Sequence, residues 1–277
     1  TWGFGFALAK SGLHHFPPLL LMSMRFGIAA LILVWFVPIP RGYLVKLCFI
    51  ALVSATIQYG LTFSGLARMD ATPAILLVQS EVIFGVVIGA ILLGEKPDLR
   101  QILGIIIALA GIMILIGGPA LTNKMTGIVL VLSGCFIWAF GQVLIRKFTS
   151  GLSGFQLTAW VGVMASPQMF LASFFVEGNP VPFLTAAPLS AWGTVIYLGV
   201  VMTVVGYSAW YYVLGRYPVP IVMPLQMLLP VSTILGAMSF LGERPEPIVF
   251  AGGIVVIIGV GVGIIEPSII RKWRQNR

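Results

Sequence analysis

Charged residues are scarce in this sequence. Aspartate, glutamate, lysine and arginine make up 9% of its 277 residues, whereas hydrophobic residues make up 59%. A soluble domain carries roughly 25% charged residues, because its surface must be solvated by water. The shortage of charge therefore excludes a soluble domain and indicates an integral membrane protein.

Groups that carry catalysis or bind metals are also few. The two cysteines, Cys48 and Cys135, both lie in apolar runs, so they predict neither a disulfide nor a metal site. The sequence contains no phosphate-binding Gly-Lys loop, no His-Glu-x-x-His motif and no paired intramembrane aspartates. We therefore expect a protein that is not an enzyme and that uses no metal or cofactor.

Acidic residues are outnumbered by basic ones, 8 against 16, which gives a formal net charge of +8. In a soluble protein this excess would suggest a nucleic-acid partner. In a membrane protein the simpler interpretation is that lysine and arginine collect in the loops that face the cytoplasm. We expect the partners to be a lipid bilayer and a small solute, with no nucleic acid, and a monomer is compatible with that role.

Long apolar runs are what the sequence does contain. They show no β alternation and have about 20 residues, enough for a helix to cross a hydrocarbon core of about 30 Å. The first run starts at Thr1 without a methionine, so we expect a trimmed N-terminus and a truncated first helix. The fold class is an all-α membrane protein with ten transmembrane helices, predicted at 1–9, 17–37, 46–67, 72–93, 99–117, 125–146, 154–176, 191–215, 218–241 and 247–265.

An internal repeat relates the two halves of the chain. The hinge after the fourth helix and the glycines of the fifth helix return at a constant offset of 148 residues, so that Gly94, Glu95, Pro97, Gly104 and Gly111 meet Gly242, Glu243, Pro245, Gly252 and Gly259. Such a repeat indicates a duplicated structural unit. We predict two five-helix repeats, 1–118 and 124–266, followed by a basic cytoplasmic tail, 267–277. The repeated glycines predict close helix packing.

An odd number of helices in each repeat places the second repeat in the membrane upside down. Inverted repeats are related by a pseudo-two-fold axis in the membrane plane, and they recur in secondary transporters. If the N-terminus is inside, basic residues of the inner loops and tail outnumber those of the outer loops, so we place both termini in the cytoplasm. The hinge 94–97 is then expected at the inner face and the hinge 242–245 at the outer face of a bacterial inner membrane.

Two further segments match between the halves: Trp-Gly-Phe-Gly at 2–5 and Trp-Ala-Phe-Gly at 138–141. Together with ten helices and two Gly-Glu-basic-Pro hinges, they resemble the EamA-type transporters of the drug/metabolite transporter (DMT) superfamily. Within that superfamily the whole chain looks most like the YddG-type aromatic amino acid exporters, a resemblance that implies export of amino acids or other metabolites. One departure is Val82, where the family often has proline, as at Pro230 in the second half. We therefore expect the fourth helix to be straighter than the ninth.

Polar side chains within the predicted helices are candidates for substrate binding, because a polar group is costly in a membrane unless it has a function. Alternating access needs one site that both sides can reach, near the midplane between the repeats. We predict a central cavity lined by amides, phenols and indoles, which suit a solute with an aromatic or apolar body and a small polar head. The alternative for each residue alone is helix–helix hydrogen bonding. The candidates are Gln58, Tyr59, Gln79, Trp138, Gln142, Tyr207, Trp210, Tyr211 and Gln226.

Two charged residues, Arg25 and Glu81, lie within predicted spans. At a helical rise of about 1.5 Å per residue both lie roughly 12–14 Å from the outer side. The matched depth favours a structural ion pair, and the alternative is that Glu81 carries a proton.

A secondary carrier accounts best for these features. It would export small amphipathic metabolites, amino acids including aromatic ones, across the inner membrane by alternating access. The mirrored hinges favour two alternating gates over a pore that does not saturate. The other alternative is an exporter of different drugs or metabolites.

Overall fold

The computed structural model describes residues 2–93, 99–118, 121–149, 151–206, 209 and 228–264. Within these residues the chain is helical and contains no strand. We number the main helices α1 to α10 in chain order. They are α1, Trp2–Gly12; α2, Pro18–Leu33, with a 3-10 turn at Val34–Phe36; α3, Leu44–Ala67; α4, Ala71–Val78 and Ser80–Leu93; α5, Leu99–Ile116; α6, Met125–Phe148; α7, Gly154–Val176; α8, Leu189–Ile196 continued by Tyr197–Val205; α9, Leu228–Gly236 continued by Ala237–Leu241; and α10, Pro247–Ile264.

Six of these helices are long and apolar enough to cross a membrane, judged by length and composition, and α8, α9 and α10 supply shorter apolar segments within the described residues. The predicted all-α membrane fold is confirmed. The loop before α8 also contains a short helix, Val181–Ala186, which was not predicted from the sequence. The ends of the predicted spans 191–215 and 218–241 that face each other lie outside the described residues.

The glycines of the repeat form the contact between α5 and α10. A methyl group added at Gly104 would come within 2.6 Å of the carbonyl oxygen of Gly259, and one at Gly111 within 2.9 Å of that of Gly252. The two backbones therefore touch directly, as the sequence predicted. We call these four glycines the glycine seam.

The order of the residue pairs along the glycine seam shows the relative direction of α5 and α10. As the residue number rises from 104 to 111 on α5, the partner number falls from 259 to 252 on α10, so the two helices run antiparallel. A second pair of equivalent helices, α2 and α7, is also antiparallel, because Leu19 bonds to Glu177, Ser23 to Ser166 and Pro38 to Trp160, so the partner number falls as the residue number rises.

An axis along the membrane normal would leave equivalent helices parallel. The antiparallel pairs therefore place the pseudo-two-fold axis in the membrane plane, which is the relation expected of inverted repeats. The repeat boundaries at 118 and 124 stay a prediction.

Two equivalent helices share a local irregularity. Leu52–Ile57 in the middle of α3 and Tyr197–Val205 in α8 are wound as π-helix. The offset of 148 residues carries 52–57 onto 200–205, inside the second segment. Wide turns of this kind are uncommon and often mark functional positions. Among the described residues these two segments occupy equivalent places in the two repeats, and a third π-helical segment, Ala237–Leu241, ends α9.

Helix α4 is interrupted near its middle, and the expectation that it is straighter than the ninth helix stays a prediction. Its two parts, Ala71–Val78 and Ser80–Leu93, are separated at Gln79, whose N–H donates to Leu76 with the spacing of a 3-10 turn at 3.2 Å. The replacement of proline by Val82 does not keep the helix continuous, because a tight turn can break the α pattern without proline. The corresponding part of the ninth helix, before Leu228, lies outside the described residues.

Candidate functional site

Arg25 is the most deeply buried charge in the described part of the chain, with 1% of its surface exposed. It projects from the middle of α2 toward α3 and α8. Its Nε donates to the hydroxyl of Thr203 at 2.9 Å, and its Nη1 makes a weak contact with the sulfur of Met22 at 3.8 Å. The guanidinium carbon lies over two aromatic rings, 5.1 Å from the centre of Tyr59 and 5.4 Å from that of Phe26.

The predicted ion pair between Arg25 and Glu81 is not formed. Among the described residues, the ion pair with nitrogen and oxygen less than 4 Å apart is the one between Lys124 and Asp70, at 3.4 Å. Arg25 and Glu81 form no such pair. Equal depth in the membrane does not fix which way a side chain points around its helix axis. Thr203 and Tyr59 hold Arg25 on the α3 and α8 side, whereas Glu81 follows the interruption of α4. Proton transfer by Glu81 stays a hypothesis.

Gln58 and Tyr59 are consecutive, so they face different neighbours of α3. Tyr59 turns toward α2, where its ring meets that of Phe26 edge-on at 5.1 Å. Gln58 is 3% exposed on the side of α6, and its Nε2 donates to Thr62 at 3.1 Å. Its Oε1 is buried and accepts no hydrogen bond from a residue that the structure describes. An unsatisfied buried amide oxygen costs about 1–3 kcal/mol, so this atom is a ready acceptor for a ligand.

The interruption of α4 supplies a second unsatisfied group. Gln79 lies at the interruption with 8% of its surface exposed, and Ser80 beside it has 2% exposed. Among the described residues the buried Ser80 hydroxyl makes no hydrogen bond to nitrogen or oxygen, and the thiol of Cys135 lies beside it. The sequence pattern indicates Gln79 but not Ser80, because nothing in the sequence marks where the helix breaks. Helices broken in the membrane commonly form the binding sites of transporters.

Trp138 and Gln142 lie one turn apart on α6. Trp138 is partly buried against an apolar cluster that contains Ile88 and Val143, and Gln142 is exposed. The helix itself packs closely on α3, since a methyl group at Gly134 would approach the N–H of Thr62 to 3.0 Å. The structure thus places both predicted residues on the helix that faces Gln58.

The other predicted residues lie outside the described part of the chain. They are the substrate-binding candidates Tyr207, Trp210, Tyr211 and Gln226 and the first hinge, Gly94, Glu95 and Pro97. The second hinge is described, and Gly242 adopts a φ of +66°, a conformation that favours glycine.

Glu243 of this hinge caps the start of α4. Its carboxylate accepts hydrogen bonds from the N–H of Ala71 at 2.6 Å and from the N–H and hydroxyl of Thr72 at 3.1 and 2.8 Å. A negative charge is favourable at a helix N-terminus, where the first N–H groups have no partner within the helix. The sequence analysis identified the hinge but not its contact with the other repeat.

Three more charges stand near this contact. Lys10 at the end of α1 donates to the carbonyl oxygens of Leu66 and Ala67, at 2.9 and 3.2 Å, where α3 ends. Burial lowers the pKa of Lys10, and the carboxylates of Asp70 and Glu243 act in the opposite direction. With the Lys124–Asp70 ion pair, these contacts connect the ends of α1, α3, α4, α6 and α9. We call this set the outer contact, after the predicted orientation.

The two matching segments that begin with tryptophan, 2–5 and 138–141, pack against the π-helical turns. Trp2 donates from Nε1 to the carbonyl oxygen of Met202 at 2.8 Å, and a methyl group at Gly5 would lie 2.9 Å from the Met202 side chain. In the other repeat, a methyl group at Gly141 would lie 3.0 Å from the Cα of Ser54. Each segment therefore supports the irregular turn of the opposite repeat.

A cleft of about 620 Å³ opens at the other end of the molecule, between α2, α7 and α8. Its walls are largely apolar, with Gln156 and Ser153 at the start of α7. None of the described substrate-binding candidates lines it. The described lining residues are Ile32, Leu33, Phe36, Val37, Pro38, Ser153, Phe155, Gln156 and Val204.

Comparison with known proteins connects this architecture to one family. Residues 1–117 and 125–264 match the model of the EamA-like transporter family. The "Probable amino-acid metabolite efflux pump" of Escherichia coli (strain K12) is 30% identical over 283 residues, which cover 99% of this chain and 93% of that protein. The "Probable terminal-alkyne amino-acid exporter" of Streptantibioticus cattleyicolor is 27% identical over 200 residues, covering 71% and 65%.

A solved protein crystal structure shares the fold. It has a TM-score of 0.67 and 18% sequence identity, and the match covers 94% of this chain and 91% of the other.

Proposed function

We propose that this chain, which belongs to the EamA-like transporter family, is a secondary carrier that exports small amino-acid-like metabolites across the bacterial inner membrane by alternating access. Two relatives that match it are named as pumps or exporters of amino acids or their metabolites. The observation that carries the proposal within the molecule is the pair of unsatisfied buried groups, Gln58 Oε1 and the Ser80 hydroxyl.

These groups suit the polar part of an amino acid. An amide oxygen can accept from an ammonium group, and a hydroxyl can accept or donate. Both are uncharged, so they bind without the strong retention that a fixed carboxylate would impose on a cation. An exporter gains from moderate binding, because it must release its solute on the outer side.

We further propose that the site accepts aromatic side chains. The rings of Tyr59 and Trp138 are partly buried on helices that also carry or face Gln58. Offset or edge-on contacts between aromatic rings contribute about 0.5–1.5 kcal/mol beyond the burial of area. Tyr207, Trp210, Tyr211 and Gln226 would complete the site from the second repeat, as the inverted repeat requires.

The outer contact supports alternating access over a pore. Glu243 joins the second repeat to the start of α4 in the first repeat, and Lys10 joins α1 to the end of α3. A carrier must close one side while the other is open, and bonds that connect the ends of five helices are suited to such a closure. A pore would need a permanently open path past the same residues.

The test uses the full chain purified and reconstituted into vesicles. Labelled L-phenylalanine and a panel of other amino acids are followed for saturation and for counterflow, in which unlabelled solute on one side drives labelled solute inward. We expect both, and we expect Trp138→Ala and Tyr207→Ala each to reduce phenylalanine counterflow about tenfold, because each removes a ring that contributes roughly 1 kcal/mol or more. Trp35→Ala is the control, because its side chain is 81% exposed.

Flux that does not saturate would favour the pore. Saturable transport of other solutes, with no amino acid transported, would favour an exporter of a different metabolite. Unchanged transport by both variants at normal protein levels would show that these rings only pack the helices.

A further inference from the structure

We infer that Arg25 binds the carboxylate of the transported solute. This inference rests on the proposed function and deepens it, because it assigns a solute that carries both an acidic and a basic group. The observations are the burial of Arg25, the absence of a carboxylate partner within 4 Å among the described residues, and the form that the same contact takes in the other repeat.

Most of the hydrogen-bonding capacity of Arg25 is unused. Its Nε donates to Thr203, and its Nη1 contact with Met22 is the weak kind that sulfur makes. Nη2 donates no hydrogen bond to any described residue. A guanidinium presents parallel N–H groups that match a carboxylate in two-pronged geometry. The face of the Tyr59 ring stabilises the cation while this edge stays available.

In the second repeat, the contact equivalent to Arg25–Thr203 is made by an uncharged residue. Gln168 of α7 meets the π-helical turn of α3, where the Thr56 hydroxyl donates to its Oε1 at 2.9 Å, and its Nε2 donates to the carbonyl oxygen of Cys48 at 3.1 Å. The reciprocal hydrogen bonds show that Ser23 of α2 and Ser166 of α7 are equivalent positions, 143 residues apart. At the same offset, Arg25 is equivalent to Gln168.

A neutral amide is therefore sufficient to join a helix to the π-helical turn of the opposite repeat. A buried charge adds a desolvation cost of several kcal/mol that this structural role does not require. Charged residues within membrane spans are accordingly associated with substrate and ion pathways. The positive charge at position 25 calls for an anionic partner, and an amino acid supplies one as its carboxylate.

The carboxylate would meet the guanidinium above the Tyr59 ring. A compound with a carboxamide in place of the carboxylate keeps nearly the same shape but cannot form the charged pair.

The experiment compares L-phenylalanine with L-phenylalaninamide as competitors of labelled phenylalanine counterflow in vesicles that contain the full chain. We expect the wild type to prefer the acid by about 10- to 100-fold, the range that charge-assisted hydrogen bonds provide. Arg25→Gln installs the residue that the second repeat already uses, so the helix contact is retained. In this variant the acid and the amide should compete about equally. Arg25→Lys keeps the charge and should keep a preference of several-fold.

Gln168→Met is the matched control. It removes the equivalent helix contact from the other repeat, so it should lower transport without changing the ratio between acid and amide. An Arg25→Gln protein that retains the wild-type ratio would overturn the inference and leave the proposed function standing, as would equal loss of acid and amide with the ratio preserved. If the wild type transports no amino acid, the proposed function fails and this inference fails with it.

Discussion

Glu243 accepts three hydrogen bonds at the first turn of α4, and all of them cross from the second repeat to the first. Glu243→Gln keeps the size of the side chain but removes the charge and turns one acceptor into a donor that faces an N–H. We expect the free energy of unfolding to fall by about 1–2 kcal/mol, in the range measured for helix N-terminal caps. Thermal unfolding of the purified protein in detergent measures the change.

Glu246→Gln is the control for that change, because Glu246 is an exposed carboxylate that directly follows the hinge and no side-chain hydrogen bond of it is described. The two variants should differ, with Glu246→Gln close to the wild type. Equal unfolding temperatures for both would show that the cap of α4 contributes little to the closed outer contact.

Single residues also show where the sequence stops being informative. Burial and polarity of Gln58 and Gln79 followed from their position within apolar runs, and both side chains are indeed buried. The partner of Arg25 did not follow, because the direction of a side chain depends on the rotation of its helix. That rotation is set by packing against neighbours far away in the sequence, such as Thr203 of α8, which is 178 residues from Arg25.

At the scale of the helix, glycine spacing predicted a contact in which two helix backbones touch. Gly104, Gly111, Gly252 and Gly259 were selected because they recur between the halves, and the structure joins them in the glycine seam. The π-helical turns and the interruption of α4 were not predicted. They depend on which carbonyl accepts each backbone N–H, and an apolar sequence of uniform helix propensity leaves that choice open.

The seam gives a test of helix packing. A methyl group in Gly259→Ala would meet the backbone of Ala108, with its Cα at 2.7 Å, so the backbones must separate. We expect the free energy of unfolding to fall by about 1–3 kcal/mol, the usual cost of overpacking. Thermal unfolding and the yield of folded protein in the membrane are the measurements.

Gly193→Ala is the matched control, since it lies in α8 and a methyl group there would have nothing within 4 Å. It should be neutral or slightly stabilising, because alanine is the better helix former. A Gly259→Ala protein as stable as Gly193→Ala would mean that α5 and α10 can separate at little cost.

At the scale of the whole molecule, the distribution of basic residues predicts both termini in the cytoplasm. Single cysteines introduced at Arg41 and at Asn179, both exposed, test this after Cys48 and Cys135 are replaced by serine. In intact cells a maleimide that does not cross the membrane should label Asn179→Cys and leave Arg41→Cys unlabelled until the cells are opened. The reverse pattern would invert the orientation and place the outer contact on the cytoplasmic side.

The glycine seam has a consequence for how the protein is made. Helix α5 is complete at residue 116, but the glycines that cover its own belong to α10, so roughly 140 further residues must be synthesised first. At about 5–20 residues per second, α5 waits on the order of 10 s with an uncovered face in the lipid. Nascent chains that stop before residue 247 never cover it. An unmated glycine face on α5 would thus distinguish an unfinished chain from a finished one, and it is a feature that membrane quality control could recognise.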